Sequence, residues 1–167
     1  LSSGDVVRLG GGVRLAVLHP PKRVPKWWSH NESSMVLSLE IKGLKVLLTG
    51  DLEGEGERAL LSGSLPTGAV LKVSHHGSRM ASSGAFLDAV RPSLAIISTG
   101  RNTFGHPHPD LIERLTSRGV RVLRTDQEGA ITIAIDLDRA TYSLRLRGER
   151  ERGWPGWVSL PARLLFD

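Results

Sequence analysis

The chain has 167 residues, 40% of them hydrophobic and 23% charged, which is the size and composition of one domain with one core rather than two. No apolar run approaches the roughly 20 residues that cross a bilayer, and with no cysteine disulfides and thiolate metal sites are excluded, so any metal rests on His and carboxylate. A formal charge of +5 and a pI of about 10.2 suit a polyanionic partner as well as they suit a merely basic soluble protein.

The first residues, Leu1 to Asp5, carry neither the basic and apolar regions of a signal peptide nor an initiator Met, so a cleaved or excised piece is expected. Four β-rich runs follow: Asp5 to Leu9, Val13 to Leu18, Met35 to Ile41 and Lys45 to Leu48. The last two flank Lys42-Gly43-Leu44 and read as a hairpin. From Asp51 the rhythm changes to alternating helices and strands. Helix is expected near Glu55 to Leu61, strand at Ala69 to Val73, helix at Ser83 to Val90, strand at Leu94 to Ile97, helix at Pro109 to Arg118 and strand at Val120 to Leu123. Such βα units feed a largely parallel sheet. Ser82 or Ser83 suits the second helix as a cap, Pro109 the first turn of the third, and Gly119 its end. Two further β runs, Ala130 to Asp136 and Thr141 to Leu146, close the domain. After Arg147 the composition shifts to Gly-Glu-Arg-Glu-Arg-Gly with Trp154 and Trp157 beyond. The expected division is thus a domain over 1–147 and a linker and tail over 148–167.

Three apolar strand candidates end in small residues followed by possible metal ligands. Leu47-Leu48 runs into Thr49-Gly50-Asp51, Leu71-Lys72-Val73 into Ser74-His75-His76-Gly77-Ser78, and Ile96-Ile97 into Ser98-Thr99-Gly100, with Phe104-Gly105-His106 shortly after. Sites in α/β sheets form outside the carboxyl ends of strands, so all three clusters are expected on one edge. Taken singly, each residue has a plainer reading. Asp51 could cap the helix beginning near Glu53, His75 and His76 could be one core and one surface histidine, and His106 and His108 could be loop and cap residues. Their coincidence at three successive strand ends weighs against those readings. Carboxylate and imidazole suit zinc, manganese or iron. A carboxylate such as Asp51 can bridge two cations that polarise a phosphoryl or carbonyl oxygen and generate hydroxide near neutral pH, and a further His can protonate the leaving group.

Together these segments resemble the nuclease-type metallo-β-lactamase domain of ComEC-family DNA-internalisation proteins, bacterial membrane proteins of competence. The likeness runs through Asn31 to Leu37, Leu47 to Asp51, Leu71 to Ser78, Asn102 to Pro107, and Arg124-Thr125-Asp126 with Gly129-Ala130, and covers roughly Gly4 to Leu146. It implies an αββα sandwich, of which the later αβ half and some strands of the earlier half are present. It also implies two divalent metal ions, zinc (Zn) or manganese (Mn). Asp51 looks like the metal-bridging aspartate, His76 or His75 like a ligand or the catalytic proton donor, and His106 like a late ligand or phosphate contact, with Ser98 and Thr99 at the place where related nucleases carry the last ligand. Asn31, Ser34, Ser78, Asn102, Lys72 and Arg79 are candidate substrate contacts, and Arg101 flanks the same place. The superfamily's first motif, His-x-His-x-Asp-His or a close variant, does not precede Asp51. His106-Pro107-His108-Pro109-Asp110 matches its letters, but it follows Asp51, lacks the final His, and puts its Asp in a helix first turn. The missing ligands are therefore expected upstream, before Leu1, and a sheet face or edge is expected to stand uncovered.

Three functions follow as expectations. One is a metal-dependent phosphodiesterase acting during competence on DNA, either single-stranded or one strand of a duplex, held by its backbone, as a soluble domain of a membrane protein on the extracytoplasmic side and associated with the rest of its parent. Another is a catalytically incomplete DNA-binding or structural remnant. Lys22, Arg23, Lys26, Trp27 and Trp28 lend it weight, since basic residues beside aromatics suit single strands, although an amphipathic loop over the core explains them too. A third is a metallo-hydrolase of another substrate, such as a lactone or thioester, because the fold alone does not choose the reaction.

Overall fold

The computed structural model describes residues 1–136, 141–147 and 158–160. Seven strands form one mixed sheet in simple order: β1 (Val6–Arg8), β2 (Arg14–His19), β3 (Val36–Ile41), β4 (Leu44–Leu48), β5 (Val70–Lys72), β6 (Leu94–Ile97) and β7 (Arg121–Arg124). The first four pair antiparallel and the last four parallel. The change of direction falls at β4, where short turns give way to helical crossovers, because a parallel partner can be reached only by a long connection. Those crossovers are α1 (Gly54–Leu61), α2 (Gly84–Val90) and α3 (Pro109–Thr116). Ser83 caps α2 by accepting the Phe86 N–H, and Pro109 sits in the first turn of α3, as expected. The expected element boundaries hold to within one or two residues. Four short elements carried no sequence expectation: 3-10 turns over Gly10–Gly12 and Ser74–Gly77, the four-residue α4 (Thr125–Glu128) and the strand Val158–Leu160.

Alternation along the strands separates two faces. Leu47, Leu71, Ala95 and Ile97 point to one, where Leu60 of α1, Phe86, Leu87 and Val90 of α2, and Leu111 and Leu115 of α3 bury against them. Leu44, Val70, Leu94 and Leu123 point to the other. There the covering element is β8 (Ala130–Asp136), through Ile131 and Ile133. β8 pairs with β9 (Thr141–Arg147), and β9 with β10 (Val158–Leu160), as a separate antiparallel three-stranded sheet. The predicted linker and tail, including Trp154 and Trp157, lies outside the described residues apart from β10. Helix, sheet and second sheet thus stack as three layers, the α/β class and partial sandwich expected from the sequence.

The second face is covered unevenly. Along the row Val7, Leu15, Leu39, Val46, Val70 and Leu94, which the strand register sets side by side, exposure falls from 37% at Val7 to 0% at Val70. Leu15, Leu39 and Val46 are half-buried between them. Among the described residues β8 shields the β4 to β7 end, where Leu44 is buried, and exposure is greatest toward β1, as an incomplete sandwich predicts. Among the described residues no helix is long and apolar enough to cross a membrane.

The segment between β2 and β3 folds back over the carboxyl ends of the strands. His19 is its anchor: 2% exposed, it donates from Nδ1 to the Ser34 carbonyl at 2.8 Å and stacks on Trp28, while its Nε2 is buried without a partner among the described residues. Gly56 of α1 fits beneath the same segment, where any Cβ would collide with the Glu32 carbonyl.

Two predictions test this arrangement. Leu71→Ala, on the fully covered face, should cost about 2–5 kcal/mol in denaturant unfolding, and Leu39→Ala on the open row about half of that or less; equal losses would mean that the open row is covered. Burial draws His19 below its ordinary value of 6.5, outweighing the opposing bond to Ser34. Below about pH 6.5 the unfolded chain then binds a proton that the folded chain refuses, so stability is full above that value and falls on acidification. His19→Asn, which keeps a donor for Ser34, should flatten the decline between about pH 7 and pH 5. An unchanged slope would remove His19 as its source.

Candidate functional site

The parallel register of β4, β5 and β6 stops all three strands at one edge, and the bonds beyond that edge tie their extensions together. The His75 N–H donates to the Gly50 carbonyl at 3.1 Å and the His108 N–H to the Gly77 carbonyl at 2.8 Å. Thr49 Oγ1 donates to the Lys72 carbonyl at 2.7 Å and Ser74 Oγ to the Leu52 carbonyl at 2.5 Å. Between these ties the chain turns left-handed at two successive non-glycine residues, His75 (φ 45°) and His76 (φ 52°), an uncommon conformation for side chains of this size. Gly77 follows at φ 88°; a Cβ there would sit 2.6 Å from Pro107 Cβ. That close approach brings the His106-Pro107 segment against the end of β5.

The two imidazoles are presented differently. His76 donates from Nδ1 to the Ser98 carbonyl at 2.7 Å. A carbonyl can only accept, so Nδ1 carries a proton, and in the neutral ring Nε2 carries the lone pair. That nitrogen lies 3.9 Å from Asp51 Oδ1. His75 donates from Nδ1 to Glu53 Oε2 at 3.1 Å, again leaving Nε2 free. Glu53 is in turn held by Asn31, whose amide donates to Oε1 at 3.0 Å, and by the Ser78 hydroxyl at 3.4 Å. Burial pushes the Glu53 carboxyl upward, but the bonds from Asn31, His75 and Ser78 outweigh it and hold the group below its ordinary value. His106 stands edge-on to His75 with ring centroids 5.6 Å apart, its Nδ1 buried and without a partner among the described residues. Desolvation first, then the neighbouring His75 and His76, lower its pKa and favour the neutral ring.

Of the predicted residues, Asp51, His75, His76 and His106 thus gather at one edge. Asn31 and Ser78 join them through Glu53. Ser34 lies beside Gly50 and gives its carbonyl to His19. Lys72 is half-buried near Asp51; burial lowers its pKa and the Asp51 charge opposes that. Two predicted substrate contacts are engaged elsewhere. Arg79 pairs with Asp110 at 2.8 Å, and Asn102 is bonded into its own loop, donating to the His106 carbonyl and accepting from the Phe104 and His106 N–H groups. His108 caps α3, accepting the Asp110 N–H at 3.2 Å, the plainer of its two readings; with it the letter match to the first motif loses its histidine. Glu53 had no predicted role beyond marking the start of a helix. Its signal was present in the pattern Asp51-Leu52-Glu53 at a strand end, with a second carboxylate two residues beyond the first.

The donor chemistry suits a divalent metal: a carboxylate and an imidazole nitrogen freed by a carbonyl bond on the other side of its ring, the usual support behind a metal-binding histidine. Two ligands of one tetrahedral ion stand about 3.4 Å apart, close to the Asp51 and His76 separation. The donor count falls short, since among the described residues no three His, Asp or Glu side chains come together to hold an ion. Asp51 and His76 are a pair, not a closed site.

The strand-end motifs can now be set beside known proteins. A family model described as the metallo-beta-lactamase superfamily matches residues 4–101, the stretch from before β1 to the residues after β6. The chain is 42% identical to ComE operon protein 3 of Bacillus subtilis (strain 168) over 143 residues, 84% of this chain and 18% of that protein. It is 38% identical to Competence protein ComA of Neisseria gonorrhoeae over 127 residues, 74% of this chain and 18% of that protein. Recombination protein 2 of Haemophilus influenzae is 35% identical over 129 residues, 77% of this chain and 16% of that protein. The chain therefore spans less than a fifth of the length of each relative. With a helix-backed mixed sheet, its polar residues gathered at the strand ends and the family match over more than half of its length, this chain belongs to the metallo-beta-lactamase superfamily.

Proposed function

We propose that this chain is part of a metal-dependent phosphodiesterase that acts on DNA. The observation that carries this is the Asp51 carboxylate facing the bare Nε2 of His76 at 3.9 Å, with that tautomer imposed by the Ser98 carbonyl. Two divalent ions, zinc or manganese, would supply an activated water and charge stabilisation at phosphorus when bound. Asp51 and His76 would hold part of that pair, with the remaining donors coming from beyond the described residues. His75, with its Nδ1 held by Glu53, would pass a proton to the leaving oxygen in the form that also carries a proton on Nε2, and neutral His106 lines the same edge. Lys72 and Arg101 supply positive charge for the backbone of one DNA strand, which needs no base-specific contacts. Relatives named for competence and for recombination support DNA as the polymer, and the basic balance of the chain agrees. By the same likeness, the piece would work as a domain of a larger membrane-attached protein, on the extracytoplasmic side and against the rest of that protein.

A second reading is favoured by the incomplete donor set: a DNA-binding or structural domain without activity of its own. Metal content separates the two. On the phosphodiesterase reading, the 167-residue chain takes up manganese or zinc weakly, and the longer polypeptide containing it binds two ions and degrades DNA with manganese. In that longer polypeptide Asp51→Asn combined with His76→Ala should lower the rate by roughly a hundred-fold or more. Full activity in the double variant would overturn the assignment. Metal-free longer polypeptide without nuclease activity would establish the second reading.

A further inference from the structure

We propose that the ring of Phe104 is a stacking platform for an unpaired nucleobase of single-stranded DNA, seating the strand whose phosphate lies over His75, His76 and His106; this rests on the phosphodiesterase reading and extends it to the form of the substrate. Phe104 is 79% exposed, so its ring contributes almost nothing to the core. It is nevertheless held in place. The Asn102 side chain accepts the Phe104 N–H at 3.1 Å and the His106 N–H at 3.0 Å, and donates to the carbonyls of Gly100 at 2.8 Å and His106 at 2.7 Å. Four bonds from one side chain fix the loop that carries the ring. Phe104 then stacks on His106, with centroids 6.1 Å apart and planes at 23°, and His106 meets His75 edge-on. The ring thus lies beside the site's own histidine with most of its surface open to solvent.

An ordered, solvent-facing aromatic ring one imidazole away from a phosphate-handling edge has the geometry used to hold single strands, where stacking supplies affinity without regard to base identity. Exposed Arg101 on the same loop adds charge for the adjoining phosphate. Paired bases in a duplex are already stacked on both faces and offer only their edges in the grooves, so the platform selects an unpaired nucleotide.

The test is binding rather than cleavage. Fluorescence anisotropy with the 167-residue chain at low salt would compare a labelled single-stranded oligonucleotide with a duplex of the same length. Phe104→Leu keeps an apolar side chain but removes the π face. It should weaken single-strand binding at least about five-fold and leave duplex binding unchanged, while Phe104→Trp should keep or tighten it. Oligonucleotides with one abasic position scanned along their length should lose affinity for the native chain at one register and show no such register with Phe104→Leu. Native-like single-strand binding by Phe104→Leu, an equal loss on single strand and duplex, or no single-strand binding by the native chain would each overturn the proposal, the first being the result expected if the ring docks against protein instead. The two ideas fail separately. Abasic-sensitive binding in a polypeptide that never cleaves DNA would retain the platform without the phosphodiesterase, and cleavage that depends on Asp51 and His76 with Phe104→Leu binding normally would do the reverse.

Discussion

The carboxyl ends of β4, β5 and β6 pose one constraint on which the rest of the site depends. Where three parallel strands stop together, their last amides and carbonyls lose ladder partners at once, and buried backbone groups must be bonded somewhere. Here they bond to one another's extensions. Gly50 accepts the His75 N–H and Gly77 the His108 N–H, while the Ser98 carbonyl takes the Nδ1 proton of His76. The bonds that satisfy the strand ends are therefore the same bonds that orient the imidazoles. Orientation of His76 is a consequence of closing the sheet edge, and it sets the tautomer without a dedicated carboxylate.

The same edge explains why the backbone tolerates two left-handed histidines in succession. Such residues cost free energy and persist where surrounding bonds overdetermine them. Ser74 is anchored to Leu52, His75 to Gly50, and Gly77 is pressed against Pro107. With both ends of the turn fixed, the left-handed residues between them bring the rings of His75 and His76 to within 6.4 Å of each other at a steep angle, one supported by Glu53 and the other by Ser98. Neighbours in sequence thus acquire different environments and can carry different duties.

Much of this was legible in the sequence. The hairpin at Lys42-Gly43, the period change after Asp51 and the capping residues Ser83 and Pro109 are local signals, and local signals survive folding. The gathering of Asp51, His75, His76 and His106 was legible too, because strands that alternate with helices end on one side. What stayed hidden depends on long-range placement. Glu53 reads locally as a helix-start acid; its contact with His75 needs a turn that no propensity foretells, since glycine rather than histidine is the usual left-handed residue. Asn102 reads as a polar loop residue free to meet substrate, whereas its side chain is engaged in the turn it initiates, a habit of Asn that the spacing to Phe104 and His106 could have disclosed. The alternation Ile131-Thr132-Ile133 marks one apolar face, but it does not say that β8 would lie across the large sheet instead of extending it.

Two observations made at different scales point the same way. Across the second face of the sheet, burial decays from Val70 toward Val7 as β8 is left behind. At the strand ends, the His and carboxylate donors among the described residues stop at a pair, and Asp51 follows β4, where the antiparallel and parallel parts of the sheet meet. A metal site needs enclosing walls as well as ligands, since exclusion of water is what strengthens charge interactions within it. On the proposed reading, an element laid toward the β1 side would cover the exposed end of the apolar row and bring donors toward Asp51. On that reading the exposed end of the apolar row and the incomplete donor set among the described residues have one cause.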